Sequence, residues 1–246
     1  MTREIDKNDV DISQLFKWKI RVNLYDPFTD TTAHVYLRIV GDADLNRAKT
    51  YGYRKAAELR KLLNTEGSDE RLAFLAELED YKNDASILAK SIILLEMTDM
   101  YQTAMTNVTL LEPKEPKSDA PQEKWEEYQA EVDSYPDRFA EETMKELKKL
   151  QTSRRRSLSK MGIEKLYKLY EETVINKLCE EELTSSYYHM CIYFGAYKDE
   201  SYTERVFSNF EEYENAHPDL RERLFHEYRE LEIGTSVLKK LPEATE

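Results

Sequence analysis

Cys179, His189 and Cys191 are of metal-binding type and include a His-x-Cys pair, with Glu180–Glu182 nearby. A structural zinc site draws four ligands from closely spaced pairs. Here only two cysteines exist, and they are separated by eleven residues within a stretch of helical periodicity. Packing roles and reduced thiols are therefore expected, with no metal bound. Nucleophilic chemistry finds no support: there is no Gly-x-Ser-x-Gly elbow and no Cys–His–Asn arrangement with supporting glycines. Paired carboxylates recur at Glu126-Glu127, Glu141-Glu142, Glu171-Glu172 and Glu211-Glu212, where they read as solvated helix faces. Acid–base catalysis needs one carboxyl shifted by a cleft, and the pattern shows none. With six glycines in 246 residues, no phosphate-cradling loop is formed. The expectation is a non-enzymatic protein with no catalytic residue and no cofactor.

What remains is the chemistry of contact. Phe16, Trp18, Ile20, Val22 and Leu24 alternate with Lys17, Lys19, Arg21 and Asn23. A turn signal follows from Asp26-Pro27 to Asp30, and then Ala33, Val35, Leu37 and Ile39 alternate in turn. A period of two assigns these sets to opposite faces of a β-hairpin. The ribbon thus has an apolar face and a basic one, although the whole chain carries a net charge of -13. Residues 15–63 hold ten Lys/Arg against five acids, so the acidity lies elsewhere. Cations interleaved with Trp18, Tyr25 and Tyr36, and the Arg154–Arg156 cluster, have the physics of single-strand nucleic-acid binding. The sign of the overall charge opposes that use, and no binding motif is present. An acidic protein partner, or the acidic half of the same chain, suits the basic face better. Lys17, Trp18, Lys19, Arg21, Tyr36 and Arg38 are accordingly candidate partner-binding residues.

A second candidate surface lies at 187–213, which holds nine aromatics. Tyr187, Tyr188, Tyr193, Phe207 and Phe210 are its candidate contact residues. The competing use of these rings is the core of a helical unit, with some tyrosines left at a wet boundary.

These residues need elements to carry them. A lone hairpin is marginal in water, so the apolar face must pack on helices or on another protein. After Gly41, Asp42 and Asp44 offer helix caps, and Leu45, Ala48, Gly52, Ala56, Leu59 and Leu63 recur at helical spacing. The small residues in the middle of this stripe form a notch in which the hairpin is expected to sit. Further helices are expected at 69–82, with Leu72, Leu75 and Leu78 inward, and at 84–106, with Ile87, Leu88, Leu94, Leu95, Tyr101 and Met105 inward. Pro113, Pro116 and Pro121 mark 109–122 as a linker. A charged helix from Trp125 to Leu150 is expected to break at Tyr135-Pro136, and Ser153–Gly162 to interrupt the pattern again. Helix resumes at Ile163, with an end at Gly195. A last helix starts at Pro218 and closes at Gly234, leaving Leu238–Glu246 as a tail. The fold class is α+β, mostly α: an N-terminal β-hairpin packed on helices, followed by a helical C-terminal region. The expected domains are a hairpin plus three-helix unit over 1–108, the linker over 109–122, and a helical domain over 123–241.

Composition narrows the class. Apolar content of 40% with 17 Tyr and 8 Phe suffices for a packed core. No run approaches the length of a membrane span, since Lys90 and Ser91 interrupt Ile87–Leu95. No signal peptide is expected from Met1 to Asp11, which holds four acids and no apolar centre.

The order of parts resembles the tail assembly chaperones of tailed bacteriophages. The resemblance is carried by the hairpin Phe16–Val40, the helix Asp44-Leu45-Asn46-Arg47-Ala48-Lys49-Thr50-Tyr51-Gly52-Tyr53-Arg54-Lys55-Ala56, and acidic closing helices with Leu231-Glu232-Ile233-Gly234. It covers residues 16–60 and 200–246 in general style and transfers no functional residue. It implies a small acidic helical protein that coats the tape measure protein in the host cytoplasm until tube polymerisation displaces it. The partners implied are other phage proteins, the tape measure or tail components, with self-association also open. The same features suit a permanent virion component of tail, connector or baseplate.

Overall fold

The computed structural model describes residues 19–26 and 31–238. Lys17, Trp18, the Asp26-Pro27 to Asp30 turn residues from Pro27 onward, and the tail after Leu238 lie outside them, as does the side chain of Tyr25.

Two strands form the expected hairpin, β1 (Lys19–Asp26) and β2 (Thr31–Arg38). They pair antiparallel with Lys19 opposite Arg38, Val22 opposite Val35 and Asp26 opposite Thr31. A short third strand, β3 (Ala196–Tyr197), adds to β2, with Tyr36 opposite Tyr197 and Leu37 opposite Ala196. Among the described residues the helices are α1 (Asp42–Asn64), α2 (Asp69–Leu78), α3 (Ala85–Leu95), α4 (Met97–Asn107), α5 (Gln122–Leu158), α6 (Ile163–Gly195), α7 (Phe210–Glu214) and α8 (Pro218–Leu238). A single 3-10 turn, Glu79–Tyr81, follows α2. The protein is α+β and mostly α, with one three-stranded antiparallel sheet among the described residues.

The chain divides into two compact units. One holds residues up to Lys61 and from Cys179 onward, and the other holds Leu62–Leu178. The division is not sequential, and it falls inside α1 and α6. The proline-bearing stretch 109–122, expected as a link between domains, lies within the second unit.

In the first unit the apolar face of the hairpin is covered by the chain's own helices. Val22, Val35, Leu37 and Val40 join Ala48, Cys191, Ile192, Ala196, Phe207, Tyr213, Leu224, Tyr228 and Leu231 in one buried cluster. Each fully buried apolar side chain of this size stabilises by roughly 1.5–3 kcal/mol, so the sheet is held by its helices rather than by its own ladder. The hydroxyl of Tyr228 accepts the backbone N–H of Val40 at 3.3 Å.

The notch on α1 is occupied differently from expectation. A Cβ on Gly52 would lie 2.7 Å from the Leu183 carbonyl oxygen and 3.5 Å from the Tyr187 Cβ. It is α6, not the hairpin, that fills it. At the other end of this contact, a Cβ on Gly195 would meet the Arg38 carbonyl oxygen at 2.6 Å. Helix α6 thus passes α1 and β2 at distances only glycine allows.

The second unit packs α4 along α5 around Phe74, Leu78, Leu88, Ile92, Ile93, Ala104, Leu147, Leu158, Leu166 and Tyr170. Several elements depart from the sequence reading. The 84–106 helix is two helices meeting at Glu96. Helix α5 does not break at Pro136 and runs on to Leu158. Proline costs the helix one hydrogen bond, but packing along the inner side of a 37-residue helix outweighs that loss. Helix α8 likewise continues past Gly234 to Leu238. Leu72, Ile87, Leu94, Tyr101 and Met105, expected inward, are exposed.

Gly52→Ala tests the close approach. Helix propensity alone would stabilise by about 1 kcal/mol, whereas forcing a methyl against backbone costs roughly 1–3 kcal/mol. Urea unfolding is expected to show net destabilisation. Gly41→Ala, where a Cβ meets nothing within 4 Å, is expected to be neutral or slightly stabilising.

Candidate functional site

Register assigns the outward face of the sheet. Lys19, Arg21 and Asn23 of β1 stand beside Arg38, Tyr36 and His34 of β2, with Tyr197 next to Tyr36. Four of the sequence-derived candidates, Lys19, Arg21, Tyr36 and Arg38, are therefore together on one surface. Tyr202 joins them from the loop after β3. It has φ of 57°, the one positive value at a non-glycine among the described residues. That conformation costs an L-residue roughly 1–2 kcal/mol, and the loop is built to hold it. The Asp199 carboxylate accepts the Glu204 backbone N–H at 2.7 Å, the Thr203 backbone N–H at 3.1 Å and the hydroxyl of Ser201. The Ser201 hydroxyl first, and the Glu204 N–H next, hold this carboxyl well below the usual range.

The rings and cations on this face are interlocked. Lys19 Nζ lies 4.9 Å from the Tyr202 centroid, and the Arg38 guanidinium lies 4.7 Å from that of Tyr197. Arg38 also donates to the Tyr197 hydroxyl at 2.7 Å. Tyr202 meets Tyr197 edge-on at 5.4 Å and Tyr36 at 6.4 Å. Tyr197 is consequently buried although it points away from the core. Beside this group, Arg21 donates to His34 Nε2 at 2.5 Å and His34 Nδ1–H donates to Asn23 at 2.9 Å. The face is a cation–tyrosine lattice. Among its described rings Tyr197 is buried, while Tyr36 and Tyr202 are half-buried.

The other aromatic candidates stand on the core side of the first unit. Phe207 is buried; Tyr187, Tyr188, Tyr193 and Phe210 pack partly buried against the core. Tyr187 donates to Glu232 at 2.9 Å, Tyr188 meets Phe225 edge-on at 5.3 Å, and Tyr193 meets Phe210 at 5.5 Å.

A surface the sequence reading missed lies in the second unit. Ile87 and Leu94 on α3 and Tyr101 on α4 are spaced by seven, and Met105 follows one turn later. All four are exposed, Leu94 by 71%. Ile87 and Leu94 stand two turns apart on α3, and Tyr101 and Met105 one turn apart on α4. The spacing was visible in the sequence, but it was assigned to the interior. The junction beneath it is fixed by a fork: Arg154 of α5 donates to both Glu96 oxygens, at 2.8 and 2.5 Å. Arg154 is thereby taken from the arginine cluster.

No family model, curated protein or solved structure matches this chain. Function must be read from its own surfaces.

The metal-type residues are not brought together. His189 Nδ1 and the Tyr213 hydroxyl share a hydrogen bond of 2.5 Å, while Cys179 and Cys191 are both buried. Among the described residues no group of three His, Cys, Asp or Glu side chains is placed to hold a metal ion. No helix among them is long and apolar enough to cross a membrane.

Two predictions follow from these buried groups. Burial pushes the Cys191 thiol up to about 12, and Cys179 is closed off by its burial, so both are expected to resist a thiol reagent at neutral pH until the protein is denatured. Burial first, and then the Arg221 guanidinium, lower the His189 value. The unfolded chain therefore takes up this proton more readily than the folded one. The stability this site contributes is complete above pH ~6.5 and is lost as pH falls, by up to ~1.4 kcal/mol per pH unit. His189→Gln should flatten that part of the stability–pH curve measured by urea unfolding.

Proposed function

We propose that this chain is a non-enzymatic protein of phage tail morphogenesis that works by protein–protein contact, holding a long helical partner such as the tape measure protein until assembly displaces it. The observation that carries this reading is the exposed stripe Ile87, Leu94, Tyr101 and Met105. Exposed apolar side chains on two successive helices offer contact to an amphipathic helix, whose own apolar face is what a chaperone must cover. The stripe lies on a chain of net charge -13, which keeps such a complex dispersed. The resemblance of the hairpin and first helix to tail assembly chaperones supplies the biological setting. A single stripe suits reversible capture, whereas a permanent particle component needs a larger apolar interface. The cation–tyrosine lattice gives a place for an acidic segment of the same partner. The burial of Tyr197 and the sign of the net charge count against nucleic acid.

The test is affinity isolation of the tagged full chain from producing cells during particle assembly, beside analysis of purified mature particles. The expected result is a co-isolated long helical tail protein and no chain in the particle. Leu94→Glu with Tyr101→Glu should reduce recovery by at least ~10-fold, because a central apolar anchor is worth ~2 kcal/mol or more. Since both side chains are exposed, Tm should not change. Stoichiometric presence in the particle would make the chain a permanent component. Retention on single-stranded DNA that weakens steeply with salt would make it a nucleic-acid binder instead.

A further inference from the structure

A cleft of about 510 Å³ lies in the second unit, between α3, the end of α5 and the start of α6. Its size is within the range of small-molecule sites. On α3 it is lined by Ala85, Ala89 and Ile93, each one turn beyond the last. Two alanines at this position leave volume that a longer side chain would fill. Leu158, the turn residue Met161 and Leu166 complete the apolar lining.

The floor and the rim differ in chemistry. Ile93, Leu158 and Leu166 are buried and close the cleft beneath, while Ala89 and Met161 are half-buried. Ser86 and Lys90 of α3 line it from one side, and Arg155 and Ser159 from the other; all four are exposed. Each side thus sets one cation and one hydroxyl, a helical turn apart, above apolar ground. Lys90 and Arg155 have no ion pair among the described residues. No acid lines the cleft. Helix α3 holds none, and residues 151–163 hold Arg154, Arg155, Arg156 and Lys160 without one. On a chain of net charge -13 this is a positive island, and its field favours a negative group.

We propose that this cleft binds a small amphipathic anion, an aliphatic chain ending in a carboxylate. The headgroup takes charge-assisted hydrogen bonds from Lys90 and Arg155, with the hydroxyls of Ser86 and Ser159 as further donors. The chain lies over Ala85, Ala89 and Met161 and displaces water from them. Both parts of the ligand are needed. A bare anion leaves the apolar ground wet, and an uncharged chain leaves the two cations without a partner. Neither Ile87 nor Leu94 lines the cleft, so the site does not depend on the protein-contact reading built on them.

Isothermal titration of the full chain with octanoate, kept below micelle-forming concentrations, tests the proposal. Saturable one-to-one binding is expected. Affinity should rise from hexanoate through octanoate to decanoate, by up to about four-fold per methylene buried. Octanol should bind at least ~10-fold more weakly than octanoate. Lys90→Gln with Arg155→Gln should weaken octanoate by about 10-fold and leave octanol unchanged. Ala89→Leu fills the cleft from its side and should remove binding while Tm holds or rises. Lys148→Gln with Lys160→Gln removes nearby cations that do not line the cleft and should leave octanoate binding unchanged. An unaltered circular dichroism spectrum checks that each variant folds. No saturable uptake of octanoate, equal affinity for octanol, cleft variants that bind as the wild type does, or an equal loss in the Lys148 and Lys160 variant would each overturn the proposal.

Discussion

Helix α6 touches two neighbours at backbone distance because two side chains are missing. Gly52 on α1 admits the Leu183 carbonyl, and Gly195 at the end of α6 admits the Arg38 carbonyl of β2. Much of the first unit follows from this seating. With α6 drawn against α1, Cys191 and Ile192 enter the cluster that covers the hairpin. With Gly195 against β2, the chain leaves the helix already in register to add Ala196 and Tyr197 as a third strand. A methyl group at either glycine would move a whole helix, whereas most core substitutions move only their neighbours.

The third strand in turn makes the outer face of the sheet. A two-stranded ribbon would leave Tyr36 and Arg38 without the rings of Tyr197 and Tyr202 beside them, although Arg38 stays exposed. Adding Tyr197, and swinging Tyr202 over it from the Asp199 loop, converts that surface into a second, smaller packing layer. Tyrosine suits this position because its ring can be covered by a guanidinium while its hydroxyl accepts a donor, as Arg38 does to Tyr197. The left-handed backbone at Tyr202 is the local cost of that arrangement.

Period-two and period-3.6 patterns revealed the hairpin, its faces, the helical remainder, and the helix boundaries at Asp42, Gly195 and Pro218. Local signals were less faithful where tertiary packing overrode them. Pro136 and Gly234 both speak against helix, yet α5 and α8 run through them. The Ala48–Gly52–Ala56 notch announced a close neighbour without saying which one. The stripe from Ile87 to Met105 was legible as a stripe, but periodicity does not say whether an apolar face is buried or bare. Ile92, Ile93 and Ala104 took the interior instead. Of the candidate contact residues, strand register alone united Lys19, Arg21, Tyr36 and Arg38. Tyr197 and Tyr202 lie some 160 residues further along the chain and could be joined to them only by the fold.

The fork between Arg154 and Glu96 has a consequence for recognition. It ties the junction of α3 and α4 to α5 through two charge-assisted hydrogen bonds. Leu94 and Tyr101 are thus presented with their spacing set in advance. A surface frozen before encounter gives up little motional freedom when something lands on it. Differences in tightness among landing sequences would then appear in how long they stay rather than in how fast they arrive.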